Sequence, residues 1–226
     1  MRYPRPLVEG VFVRRYKRFL CDVEIEGQAI TAHIANTGAM TACTAPAAPV
    51  RLLRSDNPKR KLAWSVEQIQ VGGHWIAVNT ARPNTVVAEG IAAGLVPELA
   101  GYPSLKREQK LGESRVDILL EGAGRRVWVE VKSATLLRGE ALCFPDAVTA
   151  RGTRHVRELA QIVDDTTRAV LFFLVGHQGG RWVEAAEDID PNYAQALRDA
   201  VARGVEVFAY RANIDEHGLE LGAKMP

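Results

Sequence analysis

The apolar pattern of this chain changes period at A-R-P-N-T, residues 81–85, and that change limits the folds open to it more than any single motif does. Before it come short alternating segments: L-V-E-G-V-F-V, F-L-C-D-V-E-I, Q-A-I-T-A-H-I-A, P-V-R-L-L, K-L-A-W-S-V-E-Q-I-Q-V and W-I-A-V. Gly27 and the pair Gly72-Gly73 mark hairpin turns among them. Five or six short strands within residues 1–80 predict a small antiparallel β-barrel of the OB type. After the change, N-T-V-V-A-E-G-I-A-A-G-L (84–95) predicts a helix with Asn84 or Thr85 as N-cap. Three strand-like segments follow: K-R-E-Q-K-L, S-R-V-D-I-L-L-E and R-R-V-W-V-E-V-K. T-R-H-V-R-E-L-A-Q-I-V-D-D predicts a helix with Val156, Leu159, Ile162 and Val163 on one face, and A-V-L-F-F-L-V a buried strand. A further helix over 192–203, stopped by Gly204, leads into V-E-V-F-A-Y-R. Residues 84–226 therefore predict an α/β domain with a mixed sheet.

In V-W-V-E-V-K (127–132), Val127, Val129 and Val131 share one strand face, so Trp128, Glu130 and Lys132 share the other. The parity of the turn around Gly122-Ala123-Gly124 decides what lies opposite Glu130. A two- or four-residue loop places Asp117 across from it, with Cβ atoms about 4.5–5.5 Å apart. A three-residue loop sends the two carboxylates to opposite faces. If they share a face, they repel unless a cation lies between them. Two carboxylates and a lysine suit metal-dependent phosphodiester hydrolysis: a hard divalent ion takes oxygen ligands, and the lysine stabilises developing negative charge. The alternative is a surface cross-strand ion pair of little energetic weight.

Charge is unevenly spread. A chain of net charge +2 carries eleven Lys/Arg against five Asp/Glu in its first 62 residues, hence +6 there and −4 in the rest. A basic first third points to an anionic partner. Arg14, Arg15, Tyr16, Lys17, Arg18 and Phe19 interleave cations with aromatics, as a phosphate-tracking groove with a stacking platform would, and Lys59, Arg60 and Lys61 follow a turn at Asn57-Pro58. The competing reading is that these cations are simply solvated. Cys21, Cys43 and Cys143 form no C-x-x-C pair, which argues against a disulfide framework or zinc site and for buried thiols in a reducing compartment. The N-terminus lacks the apolar core of a signal peptide and no apolar run is long enough to span a bilayer, so a cytoplasmic protein is expected, with no membrane partner. A small-molecule enzyme lacks support, because no Gly-rich phosphate loop or nucleophile motif is present.

The spacing D-x(12)-E-x-K, formed by Asp117, Glu130 and Lys132, resembles the signature of the PD-(D/E)xK nuclease superfamily, whose core runs helix, three-stranded meander, helix, strand. Val116 stands where that pattern has proline, and the literal Pro145-Asp146 lies after E-x-K, where Asp146 is read as a helix cap. The resemblance implies Mg²⁺ or Mn²⁺ held by Asp117, Glu130, Glu89 from the first helix and the Val131 carbonyl, with Lys132 at the attacking water or phosphate and His155 as a further active-site residue. A longer set of motifs resembles the sugar fermentation stimulation protein A (SfsA) family: R-Y-K-R-F-L (15–20), N-T-G-x-M (36–40), N-P-K-R-K-L (57–62), V-N-T-x-x-P-N (78–84), S-R-V-D-I-L-L (114–120), V-E-V-K-S-A-T-L (129–136), F-P-D-A-V-T-x-R-G (144–152), H-V-R-E-L (155–159) and I-D-P-x-Y (189–193). It implies a DNA-binding protein with an OB-like N-terminal domain, a nuclease-like C-terminal domain and largely non-specific DNA contacts. The expected activity is that of a divalent-metal deoxyribonuclease. The alternative is a DNA-binding regulator linked to sugar metabolism whose nuclease-like domain does not cleave. Superfamily nucleases often act as dimers, which makes a homodimer an expected state to test.

Overall fold

A computed structural model describes residues 1–112 and 114–226. The first domain contains β1 (Val8–Tyr16), β2 (Leu20–Ile25), β3 (Gln28–His33), β4 (Pro49–Arg54), β5 (Trp64–Val71) and β6 (His74–Ala77). Their order is β3-β2-β1-β4-β5-β6, and a β3–β5 pairing at His33↔Ser65 closes the first five into a barrel. Closure removes the exposed sheet edges a five-stranded ribbon would carry. Inward-facing residues such as Phe12, Val23, Ile34, Leu52, Val66 and Ile69 fill the interior, together with the thiol residues Cys21 and Cys43.

The second domain contains α1 (Pro83–Ala92), β7 (Ser104–Leu111), β8 (Ser114–Gly122), β9 (Arg125–Ala134), β10 (Leu136–Arg138), β11 (Ala141–Phe144), α2 (Ala150–Gln161), β12 (Thr167–Val175), β13 (Trp182–Ala185), α3 (Pro191–Ala202), β14 (Glu206–Ile214) and β15 (Leu219–Met225). Its main sheet has the order β15-β14-β12-β9-β8-β7. The meander β7-β8-β9 is antiparallel, β9-β12-β14 is parallel, and β15 returns antiparallel at the edge. Helix, three-stranded meander, helix, strand is the nuclease-like order expected from the sequence.

β12 shows why its run is almost entirely apolar. Val170, Phe172 and Leu174 pack with Val129 and the α1 residues Val86 and Val87 on one face. Leu171, Phe173 and Val175 pack with Val156 and Leu159 of α2 and Tyr193 of α3 on the other. A strand covered on both faces cannot alternate with polar residues.

Several element boundaries differ from expectation. α1 begins at Pro83, with Arg82 rather than Asn84 or Thr85 at the cap position. Proline suits the first helical position because its missing N–H would have no partner there. α2 begins three residues earlier than its apolar stripe suggests, since the Thr149 hydroxyl accepts the Gly152 N–H at 3.0 Å. It also ends earlier, where Asp164 folds back to accept the Thr166 and Thr167 N–H groups. Asp146 is therefore not the α2 cap. The short sheet β10-β11-β13 and the edge strand β15 lie beyond what the sequence pattern predicts: strands of three and four residues carry too little periodicity, and Gly222 interrupts the alternation of β15.

The two domains are tied at several points. Asp146 accepts the Met40 N–H at 2.9 Å, the Ala77 N–H reaches the Gly176 carbonyl at 2.8 Å, and the fully buried Glu67 holds Arg82 at 2.6 Å. The chain start also crosses over: the Tyr3 N–H meets the His217 carbonyl, and its ring enters the core beneath α1.

Candidate active site

The β8–β9 hairpin turns through Ala123 and Gly124, both with left-handed backbone (φ +49° and +76°), and Gly122 pairs with Arg125. This is the two-residue turn, and the register continues through Glu121↔Arg126 to Ile118↔Val129. One step further Asp117 stands opposite Glu130. The ladder does not close there with backbone alone. Instead the Asp117 Oδ2 accepts the Val131 N–H at 2.7 Å, so its carboxylate occupies the gap where β8 and β9 part. In an extended strand the N–H and C=O of one residue point to the same side, so the Val131 carbonyl faces this gap as well.

Glu130 is almost fully buried, its side chain 4% exposed. Its Oε1 accepts from Lys132 Nζ at 2.5 Å and is also bonded by His155 Nδ1 from α2. Arg151, one turn earlier, donates its Nε–H to His155 Nε2 at 3.3 Å. That contact fixes the tautomer: with Nε2 accepting, the ring proton is on Nδ1 and points at Glu130. Glu130 Oε2 is buried and has no hydrogen-bond partner.

The two carboxylates share a face and shift in opposite directions. Burial, the Glu130 charge and, more weakly, Glu108 push Asp117 up to about 6, against the Val131 N–H and Lys132. Burial would also raise Glu130, but hydrogen bonds from His155 and Lys132 outweigh it and hold the group below the usual range. From the other side of the site, Asn84 Nδ2 at the start of α1 donates to Asp117 Oδ1 at 2.5 Å.

Sequence reasoning placed Asp117, Glu130, Lys132, Val131 and His155 together, and the structure brings them together. Glu89 is a correction. Its carboxylate pairs with the Met1 ammonium at 2.6 Å and is half-exposed, because five residues along α1 place it about 140° around the helix from Asn84, which meets Asp117. Asn84 is the α1 residue sequence reasoning missed as a site group; its signal was the Pro-Asn pair at the helix start. Among the described residues, no group of three His, Cys, Asp or Glu side chains forms a complete metal cage. Two carboxylates, one with an unpartnered buried oxygen, and a carbonyl fit a small hard dication that keeps water and phosphate as its other ligands.

A cleft of about 440 Å³ rises from this floor. Val131, Lys132 and Ser133 line its base, Thr149 and Arg151 one wall, and Arg18, Thr37 and Gly38 of the barrel the other. The polar turn at Asn36-Thr37-Gly38 thus meets the second domain. A Cβ on Gly38 would lie 2.5 Å from the Asp146 carboxylate, which explains glycine there.

The basic stretch divides. Arg15 is a correction as a phosphate ligand: its guanidinium donates to the carbonyls of Arg18, Asn36, Gly38 and Ala39, using its donors to hold the loop beside the cleft. Arg14 pairs with Asp22 at 2.9 Å, and the Tyr16 hydroxyl donates to the same carboxylate. Lys17, Arg18 and Phe19 are exposed at the β1–β2 hairpin tip, with Lys17 and Arg18 both left-handed (φ +46° and +63°). Lys59, Arg60 and Lys61 are exposed, and Arg60 also donates to the Ser65 hydroxyl at 3.0 Å.

Comparison with known proteins agrees with this architecture. Residues 13–78 match the model of the SfsA N-terminal OB domain, and residues 81–218 that of the sugar fermentation stimulation protein RE domain. A sugar fermentation stimulation protein homolog from Geobacter metallireducens is 48% identical, covering 100% of this chain and 99% of its own, and one from Paramagnetospirillum magneticum is 47% identical over 100% and 97%. The structure of Pyrococcus furiosus SfsA in complex with Ca²⁺ superposes with a TM-score of 0.90 at 28% identity, over 100% of this chain and 96% of that one. No helix among the described residues is long and apolar enough to cross a membrane. With both domains matched and near-half identity along its whole length, the chain belongs to the SfsA family.

Proposed function

We propose that this protein is a divalent-metal-dependent DNA phosphodiesterase whose active site is the floor between β8, β9 and α2. The observation that carries the reading is the buried, unpartnered Oε2 of Glu130, whose charge acts on Asp117 and whose neighbour Lys132 lines the cleft above. An orphaned carboxylate oxygen in a low-dielectric pocket is costly unless a cation meets it. Asp117, Glu130 and the Val131 carbonyl would hold Mg²⁺ or Mn²⁺, and the related archaeal SfsA in complex with Ca²⁺, another oxygen-seeking dication, supports that assignment. When bound, the metal would acidify a water and offset charge on the phosphate.

The chain's own groups do the rest. Lys132 Nζ, one bond from Glu130, is placed to turn its other protons toward the scissile phosphate or the attacking water. His155, steadied by Arg151, keeps Glu130 Oε1 occupied and so leaves Oε2 to the metal. Exposed cations of the barrel supply phosphate contacts without base readout, so affinity should fall steeply with salt. The reading is tested by incubating DNA with the protein in Mg²⁺, Mn²⁺ or chelator, beside Glu130→Gln and Lys132→Met. Metal-dependent cleavage lost in both variants is expected. Absence of cleavage on every DNA form, together with no Mn²⁺-induced rise in melting temperature, would leave a DNA-binding regulator instead.

A further inference from the structure

The form of DNA that reaches Lys132 follows from how the floor is walled. The Glu130 and Lys132 side chains are 4% and 12% exposed, so a reacting phosphate must descend to them. The barrel wall of the cleft is pinned: Asp146 holds the Met40 N–H, Gly38 sits against the Asp146 carboxylate, and the Asn36 amide donates to the Val78 carbonyl at 3.0 Å. The cleft, about 440 Å³, has room for roughly one or two nucleotides at its floor, and past Arg18, Thr37, Gly38 and Ala147 it opens into a shallower groove of about 500 Å³ that includes Arg15 and Tyr16.

Outside this slot the barrel offers a surface suited to unpaired bases. Phe19 is 38% exposed and stacks on His33, ring centroids 6.2 Å apart and 17° from parallel. Burial and the nearby Arg60 lower the His33 pKa, so the imidazole is a neutral π-face at physiological pH. The Arg18 guanidinium lies 5.8 Å from the Phe19 ring centre and donates to the Thr37 carbonyl at 2.9 Å, which joins this platform to the cleft wall. Across the cleft Val148, 74% exposed, adds an apolar side chain to the rim. Lys17 and Arg18 turn the chain here in left-handed backbone and set two cations directly before Phe19, Arg18 beside its ring.

We propose that the substrate is single-stranded DNA, with a base stacked on the Phe19–His33 face and the backbone led past Arg18 into the cleft toward Lys132. The cleavage end of this path rests on the phosphodiesterase reading above; the binding end does not. The two are separated by measuring binding in chelator and cleavage in Mn²⁺. In chelator, the full-length protein should bind a labelled single strand at least about tenfold more tightly than the blunt duplex of the same sequence. Phe19→Ala should weaken single-strand binding about tenfold, as expected for one lost base–aromatic stack, and leave duplex binding unchanged. Arg18→Gly, which relieves the left-handed turn, should lose single-strand affinity with an equal or higher melting temperature. Duplex binding as tight as single-strand binding, or an unaffected Phe19→Ala, would overturn the proposal. A protein that shows the strand preference in chelator yet cleaves nothing in Mn²⁺ would instead defeat the phosphodiesterase reading while leaving this one standing.

Discussion

The floor of the cleft and the tip of the barrel are both places where charge interrupts an apolar sheet, but they are built in opposite ways. At the floor, Asp117, Glu130, Lys132 and His155 are drawn into low-dielectric surroundings, and nearly every polar atom has an assigned partner. At the tip, Lys17, Arg18 and Phe19 stand in solvent on a strained turn. Chemistry needs groups whose geometry and protonation are fixed before substrate arrives; tracking a backbone needs cations that move with it. Substitutions at the floor should therefore change turnover and stability together, while those at the tip should change affinity and leave the fold intact.

The sharpest break in that comparison is at Glu130. Glu130→Ala strands the Lys132 ammonium and His155 without their shared acceptor, and removing one partner of a buried pair costs about 3–5 kcal/mol. Urea unfolding should show that loss, with Glu130→Gln milder because its carbonyl still accepts. Both should lose cleavage and the Mn²⁺-induced rise in melting temperature. Lys132→Met separates the two functions of the floor. It should lower cleavage about 10²–10³-fold, the usual effect of removing one preorganised donor, while the Mn²⁺-induced rise persists.

How much of this could be read beforehand follows from the same contrast. The floor was legible because strand periodicity fixes faces: once the turn through Ala123-Gly124 is a two-residue one, Asp117 has to meet Glu130. Glu89 misled because a helix position analogous in order need not be analogous in depth, and α1 presents its first turn, with Asn84, to the site. The tip was legible only as composition. Arg14, Arg15 and Arg18 are alike in the sequence, and what distinguishes them is the 36–40 loop that absorbs the Arg15 donors, a contact between segments about twenty residues apart. The Phe19–His33 stack is equally non-local, and the short β10-β11-β13 sheet is stabilised by tertiary pairing that no local pattern announces.

The pH response should distinguish the two carboxylates of the floor. Asp117 titrates near 6 when folded and near 3.8 in the unfolded chain, so between those values the native state holds a proton the unfolded state has released. Its contribution is therefore full below about pH 4 and is lost as pH rises toward 6. Asp117→Asn removes that penalty, and the metal-free variant should melt above wild type at pH 7–8 but not near pH 4. Glu130, held low by His155 and Lys132, works the other way, with stability present above its ordinary range and lost on acidification. Metal affinity of the wild type should fall below about pH 6, as protons compete for Asp117.

In the barrel, Arg15 and Lys17 are two residues apart and should respond with opposite signs. Arg15→Ala removes charge-assisted bonds to four carbonyls and should destabilise by about 1.5–3 kcal/mol, the worth of a single such bond, because water can reach the exposed carbonyls and replace most of the lost donors. Lys17→Gly is the smaller effect and the more discriminating one. The left-handed backbone at Lys17 costs an L-residue about 1–2 kcal/mol, and glycine adopts it without that cost but gives up more conformational freedom in the unfolded chain. The two terms leave a gain of less than about 1 kcal/mol, visible as a small rise in the chemical-denaturation midpoint. A fall in the midpoint would mean that the Lys17 side chain supports the tip structurally. A rise accompanied by weaker DNA binding and a shallower salt dependence would show a cation retained at the turn for its charge, against the preference of the backbone beneath it.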